Sequence, residues 1–295
     1  MSDGDLRIGF VGCGGIGNHH LKVWESIPGA KVVAVCDNQP ERAARAGEEH
    51  GAEVFTDMVE MLARADVEAV DICTPSGLHA EQGIAALESG RHVLVEKPID
   101  IDLAKIDRLI DTADARNLKL SCIFQYRFSP EIQEARRQIQ DGRLGRLLSC
   151  STYVKWFRKQ DYYSADAWRG TWALDGGCLA NQGVHSLDQM TWMAGPVAEV
   201  EYAHIETVER DIEAETFGIA SSRFSSARAF SLTSFGIPAL SMPMASQENG
   251  LPFGIQVQAA QGRDGLLLQL AAQIERALDG RWNQGRRPGV HVTAG

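Results

Sequence analysis

No stretch of this sequence is long and apolar enough to span a bilayer. Its start, MSDGDLRIGF, lacks the basic opening and apolar core of a secretion signal and enters an apolar run directly. An excess of positive charge is missing too. The 29 Lys and Arg stand against 39 Asp and Glu, a net charge of -10, so neither nucleic acid nor an anionic membrane is expected as a partner. Paired cysteines are also absent. Cys13, Cys36, Cys73, Cys122, Cys150 and Cys178 lie singly, with no CxxC and no His/Cys metal spacing, so we expect reduced, mostly buried thiols, no metal and a cytoplasmic setting. What remains is a globular composition: 295 residues, 44% of them hydrophobic, with room for two domains and a sizeable core.

From Leu6 onward, short β-branched runs alternate with helical periods. RIGFVG, AKVVAVCD, VEAVDICTP, RHVLVEKP and LKLSCIF follow one another with about a dozen or more helix-like residues between most of them, the pattern of a parallel sheet with crossover helices. The helix after CTPSG carries Ala80, Ile84 and Leu87 and stops at Gly90; the one after LVEKP carries Leu103, Ile106, Ile110 and Ala113. Both are expected to bury that face on the sheet.

The first turn reads Gly12-Cys13-Gly14-Gly15-Ile16-Gly17, a GxGxxG placed between a strand and a helix. In this context three glycines have distinct roles. Gly12 makes the tight turn, Gly14 lets the backbone approach a pyrophosphate, and Gly17 lets helix and strand pack closely. Gly15 and Ile16 open the helix whose N-terminal N–H groups would face the phosphates. About 20 residues on, as the motif requires, Asp37 ends the second strand, where a carboxylate accepts both ribose hydroxyls of NAD and repels a 2′-phosphate. Asn38 follows it rather than an arginine, so NAD is expected in preference to NADP, with Arg42 the residue that leaves NADP open. His19 and His20, further along the helix, read as structural or solvated.

TPSGLH at 74–79, EKP at 96–98 and the later GVHSLD, taken with the glycine turn, resemble the glucose-fructose oxidoreductase and inositol dehydrogenase family, Gfo/Idh/MocA, over residues 7–224. The resemblance implies an N-terminal Rossmann domain with a doubly wound parallel sheet at 1–122. It implies a second α/β domain on an open, largely antiparallel sheet, here 123–226. Lys97 would contact the substrate hydroxyl that loses its proton and lie near the nicotinamide, with Glu96 beside it. Thr74 and Pro75 would border the nicotinamide ribose, and His79 would face the cofactor. Lys97 also falls at the carboxyl end of a strand, where doubly wound sheets bind ligands. Partial burial there lowers a lysine's pKa and suits it to proton removal.

In the second domain Tyr126 and Arg127 begin the crossing, and KWFRKQDYYSADAWRGTWALDGG sets aromatics among Arg158, Lys159 and Arg169. Arg127 and Arg169 are candidate substrate contacts, since a guanidinium holds a carboxylate or phosphate in a fork. In NQGVHSLDQMTWM, Asn181 and His185 are four apart and expected on one helix face. The resemblance pairs His185 with Lys97 in proton transfer. A frequent family pattern has aspartate where Asn181 stands; an amide orients a hydroxyl but takes no proton, so the relay would rest on Lys97 and His185. NQGxH subgroups resemble enzymes acting on amino sugars or nucleotide sugars.

From about Phe230 the text instead resembles the C-terminal end of amidase signature enzymes: a GxPAxSxP strand, an NGLP turn, a GxQ strand and a closing helix. That family's catalytic lysine and serines have no counterpart, since no lysine follows Lys159, so no amidase activity is expected. Residues 227–295 are read as a grafted segment that completes the second domain. The leading expectation is an NAD-dependent dehydrogenase acting on a secondary alcohol of a sugar, cyclitol or sugar derivative. Two alternatives stand beside it: an NAD-dependent glycosidase, and a non-catalytic nucleotide or sugar binder disabled by its composite end. The family implies a homodimer or homotetramer.

Overall fold

The computed structural model describes residues 4–145, 147, 149–224, 239–244 and 253–258. In chain order its first elements are β1 (Leu6–Val11), α1 (Gly15–Glu25), β2 (Ala30–Cys36), α2 (Pro40–His50), β3 (Glu53–Phe55), α3 (Met58–Arg64), β4 (Ala69–Ile72), α4 (His79–Glu88), β5 (His92–Val95), α5 (Leu103–Arg116) and β6 (Leu120–Cys122). There follow α6 (Pro130–Gln140), β7 (Ser149–Thr152), α7 (Gln160–Ser164), α8 (Val184–Ala194), β8 (Val197–Glu206), β9 (Phe217–Phe224), β10 (Ala239–Met244) and β11 (Phe253–Gln258). Two compact units result. Among the described residues, one comprises those of 4–123, 160–181 and 211–214; the other comprises those of 124–159, 182–210 and 215–258.

The first unit is built on a six-stranded sheet in the order β3-β2-β1-β4-β5-β6, all neighbours parallel. This is the doubly wound order with its switch point between β1 and β4. Strand alternation, reset in β2 by a register shift between Val32 and Ala34, sends Ile8, Phe10, Val32 and Val35 to one core and Val11, Ala34, Cys36, Val70, Ile72, Val93 and Val95 to another, as a sheet covered on both faces requires. Five strands match the apolar runs in the sequence. β3 does not, because three residues with Glu53 and Val54 exposed carry too little pattern to stand out.

α4 buries Ala80, Ile84 and Leu87 as expected. α5 follows the expected face only in part: Ala113 is buried and Ile106 half-buried, but Leu103 and Ile110 are exposed and Leu109 is buried in their place. Gly83 of α4 is the reason, since a Cβ there would lie 2.7 Å from Leu109 Cδ1; the missing side chain admits the leucine, and a glycine leaves no apolar mark in the sequence.

The second unit carries a two-stranded antiparallel sheet, β8-β9, and a three-stranded antiparallel sheet, β10-β11-β7. Ala239–Met244 is the strand expected from GxPAxSxP, and β11 covers the expected Ile255 and Val257. The Asn249-Gly250 turn and the closing helix lie outside the described residues. Leu147, Ala194 and Phe224 form a small core in this unit.

Two glycines of the first turn are demanded by packing. Gly12 has φ +98, and a Cβ on it would meet the Cys73 carbonyl at 2.6 Å; one on Gly17 would lie 1.9 Å from Gly12 O. A Cβ on Gly15 meets nothing within 4 Å. Gly17→Ala should therefore destabilise the protein by about 1–3 kcal/mol or more through overpacking, while Gly15→Ala stays within about 0.5 kcal/mol of wild type. Urea unfolding of the two variants checks this; equal midpoints would contradict it.

Candidate active site

The open side of the glycine turn is shaped for a phosphate. A Cβ at Gly14 would find only Arg42 Nη1, at 3.9 Å, so backbone and helix start face unfilled space. No side chain caps α1, and its first-turn N–H groups bear the positive end of the helix dipole. Ile16 is exposed in that first turn. Asp37, directly after β2, is buried. Its carboxylate accepts from the turn's Cys13 N–H at 2.9 Å and from Gln39 N–H at 2.8 Å, which ties the end of β2 to the turn. Arg42 faces Asp166 at 3.6 Å. These residues fit a dinucleotide.

Thr74 and Pro75 follow β4 at the same carboxyl edge and are half-buried. His79, expected to face the cofactor, is closed off from solvent, with Nδ1 at 2.7 Å from Pro98 O and Nε2 at 2.8 Å from Thr74 O. It braces the two loops from behind. Burial pushes its pKa down more than the two carbonyls raise it.

Lys97 lies two residues past β5, half-buried, and donates from Nζ to Asn181 O at 2.8 Å. Burial is the chief influence on its ammonium and lowers its pKa, against the attraction of Glu96, Asp175 and Cys122; the Arg169 charge lowers it further. Glu96, expected at the cofactor, points inward instead: one oxygen accepts from Lys97 N–H at 2.9 Å and the other meets His20 Nε2 at 3.1 Å. Burial pushes against its ionisation, but His20 and Lys97 prevail and hold its pKa low.

Asn181 is buried, and its amide donates to Asp175, which also accepts from Gly170 N–H at 2.8 Å. Burial raises the Asp175 pKa more than these donors and the Arg169 and Lys97 charges lower it. Arg169 stacks over Tyr162 and Trp168, with its guanidinium carbon 4.3 and 4.7 Å from the ring centroids, and reaches Asp166 at 3.3 Å. It lines a cavity of about 230 Å³ with Tyr163, Thr171, Asp211 and Glu213.

Arg127 and His185 belong to the second unit. The Arg127 guanidinium forks onto Asp188, with Nε 2.8 Å from Oδ2, and faces the Phe124 and Trp192 rings. It is thus held by an internal carboxylate. His185 is buried, edge-on to Tyr126 with ring centroids 5.0 Å apart and to Phe124 at 6.2 Å. The helix expected to carry Asn181 and His185 on one stripe opens with a π turn over Leu179–Gly183 and becomes α-helical only from Val184, so the two sit in different windings.

Three groups escape a reading of the sequence. Asp175 stands in a glycine-rich stretch without helical period. Asp71 is visible inside the apolar run VEAVDICTP, where a carboxylate is costly. His20 sits beside His19 and reads, like it, as structural or solvated; the structure separates them, leaving His19 exposed and placing His20 between Asp71 and Glu96.

Two family descriptions cover most of the chain: "Oxidoreductase family, NAD-binding Rossmann fold" over residues 6–124 and "GFO/IDH/MocA C-terminal domain" over residues 132–239. The chain belongs to the GFO/IDH/MocA family. Among solved family structures, the WlbA dehydrogenase of Bordetella pertussis, in complex with NADH and UDP-GlcNAcA, is 34% identical, with 80% of this chain and 75% of that one covered at a TM-score of 0.73. Inositol 2-dehydrogenase 4 of Saccharopolyspora erythraea is 38% identical over 51% of this chain and 46% of its own length. The 4-carboxy-2-hydroxymuconate-6-semialdehyde dehydrogenase of Sphingobium is 31% identical over 66% of this chain and 61% of its own. The matches thus span about half to three fifths of the curated relatives' lengths. The C-terminal family description ends at residue 239, so the amidase-like stretch stands as an expectation.

His20 links the site to stability. Burial opposes its charge, but hydrogen bonds to Asp71 and Glu96 outweigh this and raise its pKa to about 9. With the unfolded value near 6.5, the imidazolium's contribution is fully present below that pH and is lost as pH rises through about 9. The stability gap between wild type and His20→Gln should narrow over that window in urea titrations at successive pH values. A gap constant from pH 6 to 10 would contradict it.

Proposed function

We propose that this chain is an NAD-dependent oxidoreductase acting on a secondary alcohol of a sugar, cyclitol or sugar derivative. The observation that carries the reading is Lys97: half-buried at the carboxyl edge of the sheet, its pKa lowered by burial, and Nζ tethered to the Asn181 carbonyl. That tether uses one N–H, and a neutral amine keeps its lone pair for a proton. In its neutral form the amine takes the proton of the substrate hydroxyl. NAD, when bound, supplies the acceptor for the hydride that leaves the same carbon. Gly14 and the α1 N-terminus receive the pyrophosphate, Asp37 the adenosine ribose, and Thr74 and Pro75 border the nicotinamide end. His185 takes the assisting role that the family resemblance implies.

Among sugar derivatives a nucleotide-linked amino sugar is favoured. The NQGxH stretch supports it, as does the similarity to the WlbA dehydrogenase solved with UDP-GlcNAcA. A second reading has support from relatives named "Glycosyl hydrolase family 109 protein" and "2,7-anhydro-N-acetylneuraminate hydratase", 31% and 32% identical over 57% and 64% of this chain. In that reading the same site runs elimination chemistry with no net oxidation. A homodimer or homotetramer in the cytoplasm completes the proposal.

Calorimetric titration should give NAD binding well ahead of NADP, with Asp37→Ser cutting that preference about tenfold or more through the lost ribose contact. Lys97→Ala should keep NAD binding and lose about 10²–10⁴ in turnover on a panel of UDP-GlcNAcA, inositols and levoglucosan. NADH accumulation marks the dehydrogenase, and glycoside turnover without it marks the second reading. No binding of either dinucleotide would end both.

A further inference from the structure

Next to Lys97 in sequence and joined to it through Glu96, a second charged cluster lies largely buried between α1 and the sheet. His20 Nδ1 lies 3.1 Å from Asp71 Oδ2 and Nε2 lies 3.1 Å from Glu96 Oε1. Trp24 Nε1 donates to the same Asp71 oxygen at 2.7 Å, and the Cys73 thiol points at the other at 3.7 Å. Asp71 has no exposed surface, and Glu96 keeps only 7% of its own. A neutral imidazole has one N–H, so one of its nitrogens would turn a lone pair toward a carboxylate; only the imidazolium donates to both. The raised His20 pKa agrees with this. His20, Asp71, Glu96 and Lys97 together then carry two positive and two negative charges.

We propose that His20 is a positioning residue for Lys97. Its imidazolium cancels one of the two carboxylate charges of the cluster and aims Glu96, whose other oxygen receives the Lys97 N–H, so that the ammonium gives up its proton readily. The inference deepens the oxidoreductase reading and takes from it the role of Lys97 as base. The other charged and titratable groups facing Lys97 are Asp175 and Cys122, which favour its ammonium, and Arg169, which opposes it. Around His20 the other titratable neighbours among the described residues are Cys73 Sγ, 3.3 Å from Nδ1, and the ring of His19 at 6.5 Å, with the apolar Phe10 ring also at 6.5 Å. The Cys73 thiol is kept protonated by burial.

Charge logic sets the direction for each variant. His20 keeps its charge up to about pH 9, so over that range His20→Gln removes a positive charge beside Glu96 and stabilises the Lys97 ammonium. Glu96→Gln removes a negative charge and does the reverse. The double variant, which loses one charge of each sign, returns toward wild type.

The test is the ¹³Cε chemical shift of Lys97, assigned with Lys97→Arg, followed against pH in the four proteins without substrate. The midpoint should move up in His20→Gln, down in Glu96→Gln and back in the double variant. The acid limb of kcat/KM should follow, with His20→Gln losing about tenfold at a pH below its midpoint for each unit moved. Midpoints unchanged in all variants, or displaced the same way in all as general loosening would do, would overturn the proposal. If His20→Gln does not fold, an unmoved midpoint in Glu96→Gln overturns it alone. The titration needs no turnover, so an active Lys97→Ala protein would end the oxidoreductase reading's choice of base without touching this result.

Discussion

A carboxylate with no exposure, Asp71 on a central strand of a parallel sheet, sets terms that much of the first unit meets. A buried carboxyl group requires hydrogen-bond partners, and the helix that follows the glycine turn provides two of them, His20 and Trp24, four residues apart on one face. Those contacts fix the rotation of α1 on the sheet. The same rotation is what brings Gly17 against Gly12 O and turns the start of the helix toward the open strip at Gly14. His20 then carries the link across β4 to Glu96 and so to the backbone of Lys97. The helix that follows the cofactor turn and the lysine, which sequence separates by some eighty residues, are thus joined by one run of charge-assisted hydrogen bonds.

Lys97 itself is held from both sides within the first unit. Glu96 anchors its main chain, and Asn181 O receives its side chain from the segment Gln160–Asn181, which leaves the second half of the sequence to pack with the first unit. That segment is secured in turn by Asp175, which binds Asn181 and Gly170, and by the hydrogen bond from Gly77 N–H to Leu174 O at 3.1 Å. Where the family pattern has an aspartate in place of Asn181, this chain keeps a carboxylate close by, at Asp175, bonded to the amide. Burial raises the Asp175 pKa, and its carboxylate draws on the Lys97 ammonium.

The arginines of the crossing region divide in a similar way. Arg127 spends its fork on Asp188 and its face on two aromatic rings, which is what a structural guanidinium does. Arg169 also stacks and pairs, yet it lines a cavity of about 230 Å³. Nothing in the local sequence separates the two, because each stands among aromatics with an acid within reach.

The sequence by itself determined the parallel sheet, the glycine turn with Asp37 some twenty residues on, and the placing of Lys97 at a strand end. These follow from local pattern: apolar runs that recur, glycines that admit a turn, and a breaker after a strand. Tertiary structure alone decided which helix face of α5 is buried, that His79 braces rather than faces a ligand, and that His20 bridges Asp71 and Glu96. It also brought Asn181 and Asp175 to Lys97. Each of these depends on a partner distant in sequence, such as Gly83 for Leu109 or Glu96 for His20, and the charge state of a buried group depends on what surrounds it in space.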